Sequence, residues 1–311
     1  MSMTLLFYSD TDAPEPWREA LALELPEMEF RIWPDVGEPR RVSYALVWRP
    51  QPGLLASLPN LKGILSLGAG VDHVLLDPRL PAGVPIVRMV DAGLAAQMSE
   101  YALYGVLHFH RSMQQYADQQ RRVLWRQVPA VPAQQRTVGI LGLGVLGGDF
   151  ARKVVPLGFN VIGWSRTPKS LAGVTAFNGP AALGEFLGRT EILANFLPLT
   201  PDTAGILGAS TFGQLPRGAC IINIARGAHL DERDLLAALD DGRLGGAMLD
   251  VFQREPLPPE HPFWHHPRVV ITPHVAAQAI AELMVAQVVD SIRRIERGEQ
   301  APGLVDRGRG Y

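Results

Sequence analysis

Residues 137–153 read TVGILGLGVLGGDFARK. The run TVGILGL is apolar and short, as a strand buried on both faces requires, and LGGDFARKVVPL has the spacing of an amphipathic helix. Between them Gly142, Gly144 and Gly147 fall in G-x-G-x-x-G spacing. Alone that spacing is a weak signal. Between a strand and a helix it predicts a turn that cradles the pyrophosphate of a dinucleotide. Gly142 permits the tight turn, Gly144 lets the backbone approach the phosphates, and Gly147 lets helix and strand pack closely. N–H groups at the positive end of the helix then receive the anion.

Apolar runs continue on the C-terminal side: NVIGWS, EILANFL, ACIINIA, GAMLDVF and RVVITP, with ERDLLAALDDG among the helical patterns between them. Six strands with crossover helices predict a doubly wound parallel sheet. Toward the N-terminus, TLLFYS, EFRIW, YALVW, GILSLG and PIVRMV alternate with the helical patterns WREALALEL and GLLASL, which predicts a second parallel sheet. A proline-free pattern from Leu94 to Trp125 reads as one long helix, and QVPAVPAQQR after it as a linker or exposed arm. The last helix is expected from Ala276 to Arg297, long enough to return to the first domain. The expected organisation is a dinucleotide-binding domain over 98–279, inserted in a discontinuous substrate domain of 1–97 plus 280–311.

The stretch WSRTPKS, Trp164 to Ser170, follows the second strand of the nucleotide domain. An acidic residue at this place, about twenty residues beyond the glycines, holds the ribose diol of NAD. This chain has Ser165, Arg166, Thr167 and Lys169 instead. A carboxylate would repel the additional phosphate of NADP, whereas these groups can pair with it through charge-assisted hydrogen bonds. NADPH is therefore the expected cofactor and NADH the weaker one.

Composition narrows the class. The chain has 311 residues, of which 47% are hydrophobic and 19% charged, and its net charge is −2. That length can bury two cores, and the charge does not favour nucleic acid. No apolar stretch reaches the roughly 18 residues that a membrane helix needs. The opening MSMTLLFYSD lacks a basic start and a long apolar run, so no secretory signal is expected and a cytoplasmic protein is. The single cysteine, Cys220, lies in an apolar run and reads as core packing. His261, His265 and His266 cluster in EHPFWHHP, but the segment is bounded by proline and lacks a well-spaced fourth ligand, so no metal is expected. Arg121 and Arg122 read as an exposed helix end.

Three further stretches, NIARGAHLDERDLL, GAMLDVFQREPLP and VVITPHVAA, place polar residues at the C-terminal ends of strands, where open parallel sheets bind ligands. Joined to GLGVLG, they resemble the D-isomer-specific 2-hydroxyacid dehydrogenase family over nearly the whole chain. LVWRP, WSRTPKS, LDVFQREPLPPE and VDRGRGY are especially similar to its glyoxylate/hydroxypyruvate reductase A group. The resemblance implies a Rossmann cofactor domain inserted in a flavodoxin-like substrate domain. It also implies Arg226 as the substrate-binding arginine, His274 as the acid/base and Glu255 as its partner. From the same source, Ala69, Gly70 and Val71 in LGAGVDHV would bind the substrate carboxylate through backbone N–H groups. Asp250 would hold the nicotinamide carboxamide. Leu197, Pro198 and Thr203, with Ile224, Ala225, Val145 and Leu146, would line the cofactor. Trp48 and Arg49 would shape the substrate pocket. One small departure is Val275-Ala276 after the histidine, where many members carry glycine or serine; alanine keeps the site small.

The residue types suit the implied chemistry. Reducing a 2-oxo acid needs a hydride at the keto carbon and a proton on its oxygen. Histidine can hold that proton near neutral pH, and a carboxylate can orient its ring. The planar fork of arginine suits a carboxylate beside a carbonyl and steadies charge developing there. The expected activity is NADPH-dependent reduction of glyoxylate to glycolate and hydroxypyruvate to D-glycerate by a homodimer, with closure of the domains excluding water. A contact around Tyr116 to Gln135 fits the dimer the family implies. Two other readings share these residues: a dinucleotide-sensing, corepressor-like binding protein, and an NAD-linked dehydrogenase of a larger 2-hydroxy acid.

Overall fold

The computed structural model describes residues 3–90 and 92–311. The chain divides into two compact units, Met1–Leu94 with Gln278–Tyr311, and Ala95–Ala277.

The first unit opens with β1 (Thr4–Tyr8), α1 (Pro14–Glu24), β2 (Glu29–Ile32), β3 (Val42–Val47), β4 (Gly63–Ser66), the short α2 (Asp72–Leu75) and β5 (Ile86–Val87). The five strands are parallel in the order β2-β1-β3-β4-β5, the flavodoxin-like arrangement. Pro14 starts α1 with no N–H to leave unpaired, and Trp17 and Leu21, one turn apart, are its buried face. Leu6, Ala45, Val47 and Ile64 carry the sheet into a core closed by Leu54, Leu55, Val74 and Val305. GLLASL is not a helix: only Leu55–Ser57 form a single 3-10 turn. Pro52, Gly53 at φ +85° and Pro59 leave no length for more.

The second unit contains α3 (Ala92–His110, from its fourth residue on), α4 (Met113–Arg121), β6 (Thr137–Leu141), α5 (Val145–Val154), β7 (Asn160–Ser165), β8 (Val174–Asn178), α6 (Leu183–Gly188), β9 (Ile192–Asn195), α7 (Ala209–Gln214), β10 (Ala219–Asn223), α8 (Glu232–Asp240), β11 (Leu244–Leu249) and β12 (Val269–Ile271). Its seven strands are parallel in the order β8-β7-β6-β9-β10-β11-β12, a Rossmann sheet with one strand added. Ile140, Leu193, Ile221 and Leu249 in its middle strands are wholly buried, as strands covered on both faces must be. The chain then returns to the first unit as α9 (Ala281–Glu296), which packs against α1.

Three further elements differ from the sequence pattern. The strand VTAFN was not signalled because it lies at the sheet edge with only Phe177 buried, so no apolar run marks it. The pattern from Leu94 to Trp125 is two helices, broken at Ser112, whose φ of +55° is left-handed and ends the first of them. Long-range contacts accompany the turn: the His110 ring meets Phe159 edge-on at 4.9 Å, and the Gln114 amide donates to the Pro267 carbonyl at 3.0 Å. Finally, α9 starts at Ala281 rather than Ala276: Ile280, at φ −92° and ψ 110°, is still extended and immediately precedes the first turn. Among the described residues, no helix is long and apolar enough to cross a membrane.

Candidate active site

In the second unit, strand order places the polar loops along one edge of the sheet. The C-terminal ends of β7, β6, β9, β10, β11 and β12 carry, in that spatial order, Arg166, Gly142, Leu197, Arg226, Glu255 and His274. The topological switch point lies at β6, whose neighbours β7 and β9 lead away in opposite directions, and this is where such sheets bind ligands.

Each motif glycine has a distinct reason. Gly142 has φ +95° and donates its N–H to the Trp164 carbonyl at 2.8 Å, so the turn is both left-handed and tied to β7. A Cβ on Gly147 would collide with the Gly142 carbonyl oxygen. At Gly144, by contrast, a Cβ would meet nothing within 4 Å. No protein atom demands glycine there, and the space lies at the N-terminus of the ten-residue α5. That opening, with N–H groups of the first turn beneath it, fits a dinucleotide pyrophosphate. Val145 is exposed on that turn, while Leu146 packs toward the core. Gly147→Ala is expected to destabilise the fold by about 1–3 kcal/mol through overpacking and to weaken dinucleotide binding. Chemical denaturation and a cofactor titration would check both; unchanged values would remove the packing role.

The turn after β7 is braced from within. The Ser165 hydroxyl is buried and donates to the Thr167 carbonyl at 2.7 Å, and the Trp164 indole N–H donates to the Gly179 carbonyl at 2.8 Å. Arg166, Thr167 and Lys169 are exposed on this fixed turn. Beyond β9, the Leu197 N–H donates to Asn195 Oδ1 at 3.1 Å, and Thr203 Oγ1 donates to the Pro198 carbonyl at 2.7 Å. The same carbonyl lies 3.2 Å from Nε2 of the buried His229. Ile224 and Ala225 are buried where β10 gives way to the Arg226 turn.

His274 Nδ1 lies 2.9 Å from Glu255 Oε2, and the Phe252 N–H donates to Glu255 Oε1 at 3.0 Å. An ionised carboxylate only accepts, so this network assigns the hydrogen to Nδ1 and leaves Nε2 on the opposite side of the ring. The side chains are 26% and 15% exposed, sheltered yet reachable by a small molecule. His274 sits at φ +57°, a left-handed conformation that costs a non-glycine residue about 1–2 kcal/mol. Its N–H donates to the Asp250 and Thr272 carbonyls, at 2.8 and 3.1 Å. Arg226 is half-buried, with Nη1 donating to the Ala225 carbonyl at 2.8 Å.

In the first unit, Trp48 and Arg49 follow β3, and residues 67–71 follow the adjacent β4. The Trp48 ring covers Gly68, where a Cβ would stand 2.6 Å from it, and packs on His73 with centroids 4.4 Å apart. The Arg49 guanidinium lies 5.7 Å from the Trp48 ring centre, on a backbone at φ +47°. The loop is pinned by the Met89 N–H donating to the Gly68 carbonyl at 3.1 Å. Ala69 and Gly70 are half-buried, and the Val71 side chain is in the core, so what Val71 can offer a ligand is its backbone.

Several supporting residues escaped the sequence. Buried Asn195 and Asn223, at the ends of β9 and β10, bond to each other at 3.1 Å, and Asn223 Nδ2 holds the Arg226 carbonyl at 3.0 Å. A Cβ on Gly227 would collide with the Phe252 backbone, so this glycine lets the Arg226 turn approach the chain leading to Glu255. The Asn in each strand end and the Arg-Gly pair were the available signals, but only the pairing of strands shows what they meet. The clustered histidines serve separate partners: His261 lies 3.3 Å from Glu232 and His266 3.4 Å from Asp240. Among the described residues, no three His, Cys, Asp or Glu side chains group as a metal site.

Comparison with known proteins agrees with this geometry. Residues 103–276 match the family described as D-isomer specific 2-hydroxyacid dehydrogenase, NAD binding domain. The chain is 48% identical to glyoxylate/hydroxypyruvate reductase A of Yersinia enterocolitica, over 99% of this chain and 100% of that one. Its fold is similar to that of a D-isomer specific 2-hydroxyacid dehydrogenase from Xanthobacter autotrophicus in complex with NADPH and MES, with a TM-score of 0.96, 43% identity and full coverage of both chains. It also resembles an NADPH-dependent glyoxylate/hydroxypyruvate reductase from Sinorhizobium meliloti in complex with NADP and sulfate, with a TM-score of 0.92, 42% identity and full coverage of both. The chain therefore belongs to the D-isomer specific 2-hydroxyacid dehydrogenase family and is a nicotinamide-dependent oxidoreductase.

Proposed function

We propose that the protein reduces small 2-oxo acids, glyoxylate to glycolate and hydroxypyruvate to D-glycerate, and prefers NADPH to NADH. The observation that carries this reading is the 2.9 Å His274–Glu255 pair, on the same sheet edge as Arg226 and the glycine turn. The reductase names of similar proteins and the NADPH and NADP in their structures support it.

Residues 98–279 would serve as the cofactor domain, and 1–97 with 280–311 as the substrate domain. The bound reduced nicotinamide would supply the hydride. Gly142, Gly144, Val145, Leu146 and Gly147 form the phosphate cradle; Leu197, Pro198, Thr203, Ile224 and Ala225 line the cofactor. Asp250 is the residue that the resemblance assigns to the nicotinamide carboxamide; it is wholly buried here, with Oδ2 bonded to the Ala276 N–H, so that contact would require Oδ2 to be uncovered when cofactor binds. The Arg226 fork binds the 2-oxo acid and steadies charge on its carbonyl oxygen. Backbone N–H groups of Ala69, Gly70 and Val71 take the carboxylate, while Trp48 and Arg49 limit the size of the group beside the carbonyl. His274 delivers the proton from Nε2, as Glu255 holds Nδ1. Val123 and Trp125, at 94% and 100% exposure, lie in the segment from Tyr116 to Gln135, which we assign to a homodimer contact. With one cysteine, Cys220, the chain has no internal disulfide, which fits the cytoplasmic location we propose.

Cofactor choice is tested at Arg166. A hydrogen bond to a charged group contributes roughly 1.5–3 kcal/mol, so Arg166→Ala should weaken NADPH by about 10- to 150-fold and change NADH little. The measurement is the ratio of kcat/KM for the two cofactors with glyoxylate and hydroxypyruvate, at fixed ionic strength because exposed charges are screened by salt. A wild-type preference for NADH, or a ratio unmoved by the substitution, would overturn the assignment.

A further inference from the structure

The loop that carries His274 is held by a chain of hydrogen bonds that begins on a helix far away in sequence. Asp250 is wholly buried at the end of β11. Its Oδ1 accepts from Thr272 Oγ1 at 2.6 Å and from the Val275 N–H at 2.8 Å, and its Oδ2 accepts from the Ala276 N–H at 2.8 Å. One carboxylate thus grips the residues on both sides of His274. The Tyr101 hydroxyl, on α3, lies 2.5 Å from Thr272 Oγ1. Thr272 has a single hydroxyl hydrogen, and an ionised Asp250 can only accept it. The direction of the chain follows: Tyr101 donates to Thr272, and Thr272 donates to Asp250. Burial pushes the Tyr101 phenol up to about 12, so it keeps the proton this donation needs.

We propose that Tyr101 is a positioning residue for the proton donor, acting through Thr272 and Asp250 to hold His274 in its left-handed backbone conformation. This rests on the role of His274 proposed above. The geometry gives the chain a specific task. A non-glycine residue at φ +57° relaxes toward ordinary φ unless its neighbours fix it. The fixing groups here are the Asp250 carboxylate on Val275 and Ala276, and the Asp250 and Thr272 carbonyls on the His274 N–H. Thr272 Oγ1 is the link through which α3 orients that carboxylate, and low surrounding dielectric strengthens each link. Removing the Tyr101 hydroxyl leaves Thr272 Oγ1 without its donor and releases the far end of the chain. The ring of His274 then loses its fixed relation to Glu255 and to the substrate oxygen, and small displacements of a reacting group are costly.

The test compares Tyr101→Phe, Thr272→Val and Thr272→Ser with wild type and His274→Ala. Five quantities are read: kcat and KM for glyoxylate, NADPH dissociation constant and bound stoichiometry by fluorescence titration, and thermal midpoint. The expected result is a fall in kcat of roughly 10- to 100-fold in Tyr101→Phe and Thr272→Val. KM should change little and NADPH stoichiometry should stay at the wild-type value, while NADPH affinity should move no more than the one carboxamide contact proposed for Asp250 is worth. Thr272→Ser, which keeps the hydroxyl, should recover most of the loss seen in Thr272→Val. A purely structural role would instead lower the midpoint or the bound stoichiometry and leave kcat per binding-competent chain intact; that outcome overturns the proposal. So does a serine variant as impaired as the valine one. If His274→Ala is inactive while Tyr101→Phe turns over normally, only this inference fails. If His274→Ala itself turns over normally, the proton-donor reading fails and takes the positioning role with it.

Discussion

Replacing His274 with alanine is expected to lower kcat about a hundredfold or more while NADPH binds as before. The reaction leaves negative charge on the former keto oxygen, and without a donor that oxygen must be protonated from water. His274 is suited to the task by geometry: Nδ1 is taken up by Glu255 at 2.9 Å, which orients the ring and presents Nε2. The loss should fall on kcat, because the proton moves during the reaction rather than on binding. Cofactor affinity should persist because the glycine turn proposed as the phosphate cradle lies at β6, whereas His274 follows β12 at the sheet edge. Steady-state kinetics with glyoxylate and a cofactor titration on the same preparation check both halves. Near-native kcat in a folded His274→Ala protein would sink the assignment.

Arg226→Lys should lower kcat/KM for glyoxylate by about 10- to 150-fold, the loss of one charge-assisted hydrogen bond worth roughly 1.5–3 kcal/mol. The substitution keeps the charge and removes the planar fork, so it separates simple attraction from bidentate recognition. Arg226 is also held in place: Asn223 Nδ2 donates to its carbonyl, and its Nη1 donates to the Ala225 carbonyl. A lysine has the charge but cannot match two parallel acceptors from this backbone position. If arginine also steadies the developing alkoxide, kcat falls with kcat/KM; if it only binds, KM alone rises. An unchanged kcat/KM in the lysine variant would exclude either role.

The residues proposed for the cofactor half of the site are picked out in the chain because their signals are local. Gly142, Gly144 and Gly147 need only a strand before and a helix after them, and Arg166 needs only its distance from that turn. The residues proposed for catalysis come from family resemblance, since nothing in the spacing of Arg226, Glu255 and His274 says that their loops share an edge. The exposed edge strand Val174–Asn178 and the break at Ser112 left no apolar or proline signal, because each is set by position in the fold.

The sequence by itself determined two alternating strand–helix series, a glycine turn between a strand and a helix, and the absence of an acidic residue about twenty residues beyond it. These follow from side-chain periodicity and glycine geometry over a few residues. Only the tertiary structure decided the order β10-β11-β12, which sets the loops of Arg226, Glu255 and His274 side by side. It alone showed that Asp250 grips the His274 loop, and that Tyr101 reaches Thr272 across 171 positions of chain. The physical reason is that a hydrogen-bonded strand pair or a buried hydroxyl contact depends on which surfaces meet after collapse, and no local spacing encodes that.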